Sequence, residues 1–475
     1  MSNTPHHKNE SAIFLKGVGW NSFGLLFRFF RFAYMVLFAR MLKAETFGQY
    51  VLFFSIIEAI SKIATMGLEY GTIKYVHAES ARDSKEDNYD ALPLIAVLAF
   101  LLTLLSTALT LWVSQLLFDQ SEVLDEFRQF CYLIPPLSML NFFSIVSRAT
   151  LDMRYENIFR NCIETGGILA FGYFFLLFEP NLLALVKAHI LASFVATILY
   201  ISTFFKLTKG FTLNLRYREL FHQSYGMGLV AFANYTRTKA DYFLLGKFLS
   251  FSQLAVYSMA VLVISLIGKI NSAVAPIAGP LLHKIFMEND HEKLQKNLHQ
   301  MLNFSLDAIF IGGIVLFFFN QDILILYGKS FVLNQHIFVG LLVAQMVLIF
   351  FGVPEQYLLF TKHQNVLFSL SAALIVVMAA AFSVLVPMYE LKGAIASILV
   401  IYLLYGSLLM IELKKRLNLD IFSKKIRNKL MLFSLVFIAT ALSKEWLGIH
   451  RIVACASGVL FYAWWISKTS IKKRL

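Results

Sequence analysis

Apolar stretches long enough to cross a lipid bilayer repeat along almost the whole chain. There are about fourteen, each near the roughly 20 residues that a transmembrane helix needs. Lipid tolerates only helices or closed barrels, and these runs are too long and too uniformly apolar for barrel strands. The pattern therefore predicts an all-α polytopic membrane protein with about 14 transmembrane helices. The predicted spans are approximately 12–40, 46–75, 91–118, 127–150, 157–178, 182–206, 222–246, 253–282, 298–319, 336–360, 364–387, 391–412, 428–443 and 449–467.

Composition agrees with this class. Of the 475 residues, 58% are hydrophobic and only 15% are charged, against roughly a quarter charged in soluble domains. The net charge of +13 does not predict nucleic-acid binding, because most Lys and Arg lie in alternate loops, as the positive-inside rule requires. The basic run from Lys414 to Lys429 marks a cytoplasmic loop, and with fourteen spans both termini are then predicted in the cytoplasm.

The two halves of the chain resemble each other. A shift of 207 positions pairs Lys62 with Lys269, Tyr50 with Tyr257 and, among others, Pro180 with Pro387. Such a parallel repeat predicts substrate binding between the halves and transport by rocking one half against the other. The predicted domains are an N-terminal six-helix bundle, a cytoplasmic amphipathic linker, a C-terminal six-helix bundle, and a basic loop with two extra helices, over 1–206, 207–221, 222–412 and 413–475 respectively.

Polar residues inside the predicted spans form helical stripes. Asn21, Arg28 and Arg31 share one face of the first span. A charge in hydrocarbon costs several kcal/mol, so such residues usually face a wet or paired interior. Arginine keeps its proton, and its planar fork suits phosphate. The seventh span repeats the arrangement with the stripe Asn234, Arg237 and Asp241.

The second span adds Glu58 and Lys62 on one face, and its counterpart adds Lys269. Asp307 lies in the ninth span. Together these residues predict a cationic cavity between the halves, with Arg28, Arg31, Lys62, Arg237, Lys269, Asn21 and Asn234 as substrate-binding residues. Glu58, Asp241 and Asp307 are predicted to couple an ion or balance charge. Two alternatives stay open: Glu58 and Lys62 neutralise each other at i, i+4, and Asp307 pairs with a lysine.

Soluble-enzyme motifs are absent, and the three cysteines lie in apolar stretches without metal-ligand spacing. No metal or cofactor is therefore predicted. Several segments instead carry a resemblance: ARMLKAETFGQYVLFFSI from Ala39, MGLEYGTIKY from Met66, KADYFLLGKFLSFSQLAVYSMA from Lys239, PIAGPLL from Pro276 and VPMYELKGAIAS from Val386. Their order, with the span count and the duplication, resembles Wzx-type polysaccharide repeat-unit flippases (O-antigen, capsule or exopolysaccharide). These belong to the multidrug/oligosaccharidyl-lipid/polysaccharide exporter superfamily.

The resemblance implies a MATE-like fold in the bacterial cytoplasmic (inner) membrane. It implies translocation of undecaprenyl-diphosphate-linked oligosaccharide to the periplasmic leaflet, with the lipid tail left among the membrane lipids. It also implies coupling to a proton or sodium gradient, and a polysaccharide polymerase and chain-length regulator as partner proteins.

Three other functions stay open at this stage. A lipid II-type precursor flippase would carry a similar diphosphate and need the same cations. A MATE-type cation-coupled exporter predicts an acidic cavity, which the excess of cations disfavours. A membrane polysaccharide polymerase or ligase predicts a large external catalytic loop, whereas the longest external loop here runs only from about Asn320 to Gln335.

Overall fold

The computed structural model describes residues 30–69, 71–72, 92–117, 121–149, 153–207, 224, 235, 239–328, 331, 335–361, 363–446 and 451–471. Within these ranges the chain is helical and contains no strand, which confirms the all-α prediction. Contacts divide it into two units, Met1–Phe243 (unit 1) and Leu244–Leu475 (unit 2). Apart from Leu207, the predicted linker 207–221 lies outside the described residues, so the four predicted domains stay a prediction.

Unit 1 contains the helices of the first half of the chain. They are α1 (30–41), α2 (Ala44–Ile63), α3 (Leu92–Leu117), α4 (Ser121–Cys131), α5 (Ile134–Ala149), α6 (Thr165–Phe178) and α7 (Leu182–Leu207). A π-helical segment, Glu156–Glu164, leads into α6. The boundary between the two units, at Phe243 and Leu244, lies within the short helix α8 (239–248).

The core of unit 1 is rich in aromatic side chains. Phe38 of α1, Tyr50 and Phe53 of α2 and Phe130 of α4 are fully buried and contact one another edge-on or tilted. α6 approaches α1 closely at Gly172. A Cβ atom at this position would lie only 2.5 Å from the Phe38 ring. Small residues allow such close helix packing in membranes, where lipid is as apolar as the protein.

Unit 2 contains α9 (Phe251–Met287), α10 (His291–Phe318), α11 (Asn320–Tyr327), α12 (Gln335–Phe360), α13 (Gln364–Leu417), α14 (Lys424–Trp446) and α15 (Arg451–Ile471). α14 and α15, the two extra helices of the prediction, pack on α10. The rings of Phe310 and Phe433 stack 3.8 Å apart at this contact. α12 and α13 also approach closely, since Phe351 lies against Gly406.

Eight helices within the described ranges are long and apolar enough to span a membrane. One of them, α13, covers two predicted spans. Glu390 adopts φ 50° and divides α13 into two helical stretches. Another is interrupted between Cys131 and Ile134, just before Pro135 and Pro136. The chain is therefore a multi-pass membrane protein, while the total of fourteen helices stays a prediction.

Candidate functional site

Arg31 and Glu58 contact each other across the antiparallel pair α1 and α2. The Arg31 Nη2 atom lies 3.6 Å from Glu58 Oε2, and 41% of the Arg31 side chain remains accessible. At this distance and exposure the pair is loose, so it holds the arginine near a carboxylate without fully engaging its donors. The first-span arginine is thus positioned against the second-span acid.

Glu58 is surrounded by more than one cation. The charges of Arg31, Lys239 and Lys62 all act on this carboxylate. Two of the cations also lie over aromatic rings, Lys62 Nζ at 5.9 Å from the Tyr235 centroid and Lys239 Nζ at 4.5 Å from that of Tyr242. Three cations therefore act on this one carboxylate.

Lys62 also takes part in a second group of contacts. Its Nζ donates to Asn141 Oδ1 of α5 at 2.7 Å, and Arg160 Nη2 donates to the same oxygen at 2.6 Å. Arg160 belongs to the π-helical segment, and its Nη1 donates to Ser144 Oγ at 3.4 Å. We call Arg31, Glu58, Lys62, Asn141, Arg160 and Lys239 the charge cluster of unit 1.

Aromatic groups cover one side of this cluster. Tyr34 lies one helical turn after Arg31 on α1. Tyr50 bonds through its hydroxyl to His189 Nε2 at 2.8 Å, and the imidazole lies 4.6 Å from the Phe54 ring. His189 and Tyr50 are fully buried, so these rings form a rigid wall beside the charged groups.

Asp307 lies in a different setting, in unit 2. Its Oδ1 accepts from Lys429 Nζ at 2.6 Å and from Tyr462 OH at 2.7 Å. The Lys429 side chain is only 3% accessible. The predicted alternative that Asp307 pairs with a lysine is therefore the arrangement found, although its partner belongs to α14. Lys429 ends the basic run that was predicted as a cytoplasmic loop and also lies in the predicted span 428–443; the structure places it within α14, buried against Asp307.

The remaining predicted site residues are placed as follows. Asp241 is buried in α8 and acts electrostatically on Lys239. Lys269 is exposed on α9 of unit 2. Asn21, Arg28, Asn234 and Arg237 lie outside the described residues, so their roles stay predictions.

Four contributors were not predicted as site residues: Lys239, Arg160, Asn141 and Ser144. Arg160 lies where the fifth predicted span begins, so it resembled a loop cation at a helix end. Asn141 and Ser144 share a face of α5 at i, i+3 spacing, which a search for polar stripes in the fourth span would have found. Only the fold reveals that Lys62 and Arg160 meet there.

A family model described as polysaccharide biosynthesis protein matches residues 37–334. The chain belongs to this family. The match covers most of unit 1, including all described members of its charge cluster except Arg31, and the first part of unit 2. No curated protein matches the chain.

Solved transporters of the MOP superfamily share the fold of this family member. The lipid II flippase MurJ in an inward closed conformation aligns with TM-score 0.70 and 13% identity, over 94% of this chain and 100% of MurJ. An inward-facing multidrug resistance MATE transporter aligns with TM-score 0.69 and 15% identity, over 85% and 98% of the two chains. A Pyrococcus furiosus MOP transporter, described as having a binding pocket of reverse polarity, aligns with TM-score 0.65 and 15% identity, over 86% and 95%.

Family and fold confirm the predicted resemblance to Wzx-type flippases and the MATE-like architecture. The chain is thus a member of the polysaccharide biosynthesis protein family that has the fold of MATE transporters and MurJ. Its substrate is the next question.

Proposed function

We propose that the protein translocates undecaprenyl-diphosphate-linked oligosaccharide repeat units across the bacterial inner membrane. In this proposal both termini are cytoplasmic, and the substrate moves from the cytoplasmic to the periplasmic leaflet by alternating access. The lipid tail stays among the membrane lipids while the charged head group crosses.

The observation that carries the proposal is the excess of cations around Glu58. Arg31, Lys62 and Lys239 act on this one carboxylate, and Arg160 adds a fourth cation through Asn141. A diphosphate needs several positive groups to leave water, and Arg and Lys supply charge-assisted hydrogen bonds to its oxygens. Tyrosine rings beside them offer the surface that sugars stack on.

Glu58 has a defined role in this mechanism. With no substrate bound it partly neutralises Arg31; when the diphosphate enters, the arginine exchanges the carboxylate for phosphate oxygens. Glu58 is then available to bind a proton or a sodium ion, which would couple transport to an ion gradient. Asp241 is the second candidate for this coupling.

The test is a flipping assay with purified protein in liposomes. The substrate is a polyprenyl-diphosphate-linked oligosaccharide with a fluorophore on the sugar, and a membrane-impermeant quencher reports its leaflet. We expect flipping that depends on the protein. The flipping rate should fall at least about tenfold in Arg31→Gln, because the substrate loses one or more charge-assisted hydrogen bonds. Arg128→Gln is the matched control, because Arg128 forms an exposed pair with Asp125 outside the cluster.

The same assay separates the alternatives. A lipid II flippase is the second candidate because MurJ shares the fold over nearly the whole of both chains. Preference for fluorescent lipid II over the oligosaccharide substrate would support it. Uptake of a cationic dye without movement of either lipid would instead indicate a multidrug exporter, and equal flipping by wild type and Arg31→Gln would refute the proposed site.

A further inference from the structure

A cavity of about 480 Å³ lies in unit 2, where α13 ends and the chain turns towards α14. Its lining combines charged and apolar side chains: Lys414, Lys415 and Asp420 with Met410, Ile411, Leu419, Ile421 and Phe422. Phe422 is 49% exposed although it lies within the basic run that ends at Lys429. A site that is both cationic and apolar suits a ligand that is both anionic and apolar.

Helix α10 holds the loop that forms this cavity. Gln295 Nε2 donates to the Asp420 carbonyl oxygen at 2.7 Å, and Gln295 Oε1 accepts from the Asp420 backbone N–H at 2.8 Å. His299 Nε2 lies 2.8 Å from the same carbonyl oxygen. The loop begins at Asn418, in the left-handed conformation with φ 51°, and Ser423 Oγ accepts a backbone N–H from the first turn of α14. These bonds fix the shape of the loop before any ligand binds.

The two lysines of the cavity are accessible to a ligand. Lys414 Nζ lies 2.7 Å from Asp420 Oδ2, but the two side chains are 52% and 67% accessible. Such an exposed pair contributes little to stability, so Lys414 can exchange this carboxylate for another anion. Lys415 is exposed and forms no ion pair within the described ranges.

Each of the two helices joined by the loop exposes an apolar stripe that meets a cation at the loop end. On α13 the exposed stripe is Val400, Leu404, Leu408 and Ile411, followed by Lys415. On α14 it begins at the exposed Arg427 and continues through Met431, Leu435, Ile438 and Leu442. Residues three or four apart share one face of a helix. Lipid chains that cover these faces would therefore bring their head groups to the two cations.

The cations that begin α14 are not explained by the helix itself. Lys424, Lys425 and Arg427 lie among its first four residues, and its first turn contains no acidic residue. The N-terminus of a helix has a partial positive charge, which disfavours cations and favours anions. An anion bound at this loop would therefore stabilise the start of α14. The positive-inside rule accounts for basic residues here, but not for a cavity of mixed lining on a fixed loop.

We propose that this cavity binds an anionic phospholipid. The lipid phosphate contacts Lys414 and Lys415, and the acyl chains lie along the exposed stripes of α13 and α14. Two stripes that meet at one loop suit a lipid with two chains better than a polyprenyl lipid, which has one. The site uses no residue of the charge cluster of unit 1, so it does not depend on the proposed function.

The test places a fluorescent reporter in the wall of the cavity. Full-length Phe422→Trp protein is reconstituted in phosphatidylcholine nanodiscs with increasing amounts of brominated phosphatidylglycerol or brominated phosphatidylcholine, since bromine quenches tryptophan at contact range. Protein that retains Phe422 gives the signal of the five native tryptophans, which is subtracted. We expect phosphatidylglycerol to quench at about a fivefold lower mole fraction, the contribution of roughly one cation beside anionic lipid.

Variants in the Phe422→Trp background locate the preference. Lys414→Gln with Lys415→Gln should abolish it, because the cavity lining then contains no cation. Arg128→Gln with Lys187→Gln is the matched control, since it removes the same net charge from two exposed pairs outside the site, and it should keep the preference. The Tm of each variant reports folding. If the double variant is destabilised, Lys415→Gln alone, which breaks no ion pair, should still weaken the preference several-fold.

Equal quenching by the two brominated lipids, or a preference that survives the loss of both lysines, would overturn the site. Competition identifies any other occupant. Unlabelled phosphatidylglycerol should relieve the quenching. Relief by undecaprenyl phosphate and not by phosphatidylglycerol would show a polyprenyl-lipid site, and relief by millimolar inorganic phosphate would show a site for free anions. Either result would overturn the proposal of a phospholipid.

Discussion

The charge cluster of unit 1 and the Asp307–Lys429 pair of unit 2 both place charged groups within apolar helices, but they hold them differently. In unit 2 the contact is 2.6 Å and the lysine is 3% accessible. In unit 1 Arg31 lies 3.6 Å from Glu58 and remains 41% accessible, while Lys62 and Arg160 donate to an amide. A tight buried pair is suited to joining helices, whereas an accessible arginine in a long contact, such as Arg31, is available to a ligand.

The contrast also concerns which helices are joined. Asp307 bonds to one residue of α14 and one of α15, so the carboxylate ties both extra helices to α10. Position alone could not separate these roles, since Glu58 and Asp307 were both predicted from a charge within an apolar span. Four substitutions test the difference, in order of decreasing expected effect.

Lys429→Met should cause the largest loss of stability. It leaves Asp307 without its cation, and removing one partner of a buried pair costs about 3–5 kcal/mol. The measurement is the free energy of unfolding of the purified protein in mixed micelles. Replacing both partners, Asp307→Leu with Lys429→Met, should recover most of that loss. A change below about 1 kcal/mol in the single variant would mean that the pair does not hold α14.

Lys62→Met should show the reverse pattern. The hydrogen bond that it loses to Asn141 joins it to a neutral group, so the free energy of unfolding should fall by only about 1 kcal/mol. Flipping of the lipid-linked oligosaccharide should fall by about tenfold or more, since the diphosphate loses a cation. Lys187→Met, which removes an exposed pair with Glu179, is the control. The comparison would be contradicted if Lys62→Met were strongly destabilised and its folded molecules flipped the substrate at the wild-type rate.

Tyr462→Phe should have an intermediate effect on stability alone. It removes one of the two hydrogen bonds to Asp307 and keeps the ring, which packs edge-on to Phe310. The expected loss is about 1 kcal/mol, with flipping per folded molecule unchanged. A transport defect without loss of stability would indicate that Asp307 takes part in ion coupling.

Glu58→Gln should have the smallest effect on stability, under about 1 kcal/mol, because its contact with Arg31 is long, at 3.6 Å, and the arginine stays 41% accessible. It removes negative charge from among three cations, so farnesyl diphosphate should bind several-fold more tightly, on the order of the weak Coulomb term at a partly exposed site. Isothermal titration at low and high salt measures this. Weaker binding in Glu58→Gln would show that the carboxylate organises the cations rather than competing with the ligand.

Much of the fold could be predicted because hydropathy reports membrane helices directly. Arg31, Glu58 and Lys62 could be chosen because their charge conflicts with the apolar runs around them. Arg160 could not, because it lies at the end of a run where a cation is ordinary, and the π-helical segment changes the angular position that α-helical spacing would give it. Lys429 was missed for a related reason: its neighbours form a basic run, and only tertiary packing shows that one member points inward.

The bonds of Asp307 also have a consequence for the biogenesis of the protein. Lys429 and Tyr462 follow Asp307 by 122 and 155 residues, so α10 is synthesised well before the groups that satisfy its carboxylate. Until then the nascent protein carries an acidic group without these partners, a feature that membrane proteases could recognise. Chains ended after Leu417 should therefore be degraded faster than full-length chains in pulse-chase experiments, and Asp307→Asn should lengthen their lifetime. Packing of α14 and α15 on α10 would then protect only those chains whose synthesis is complete.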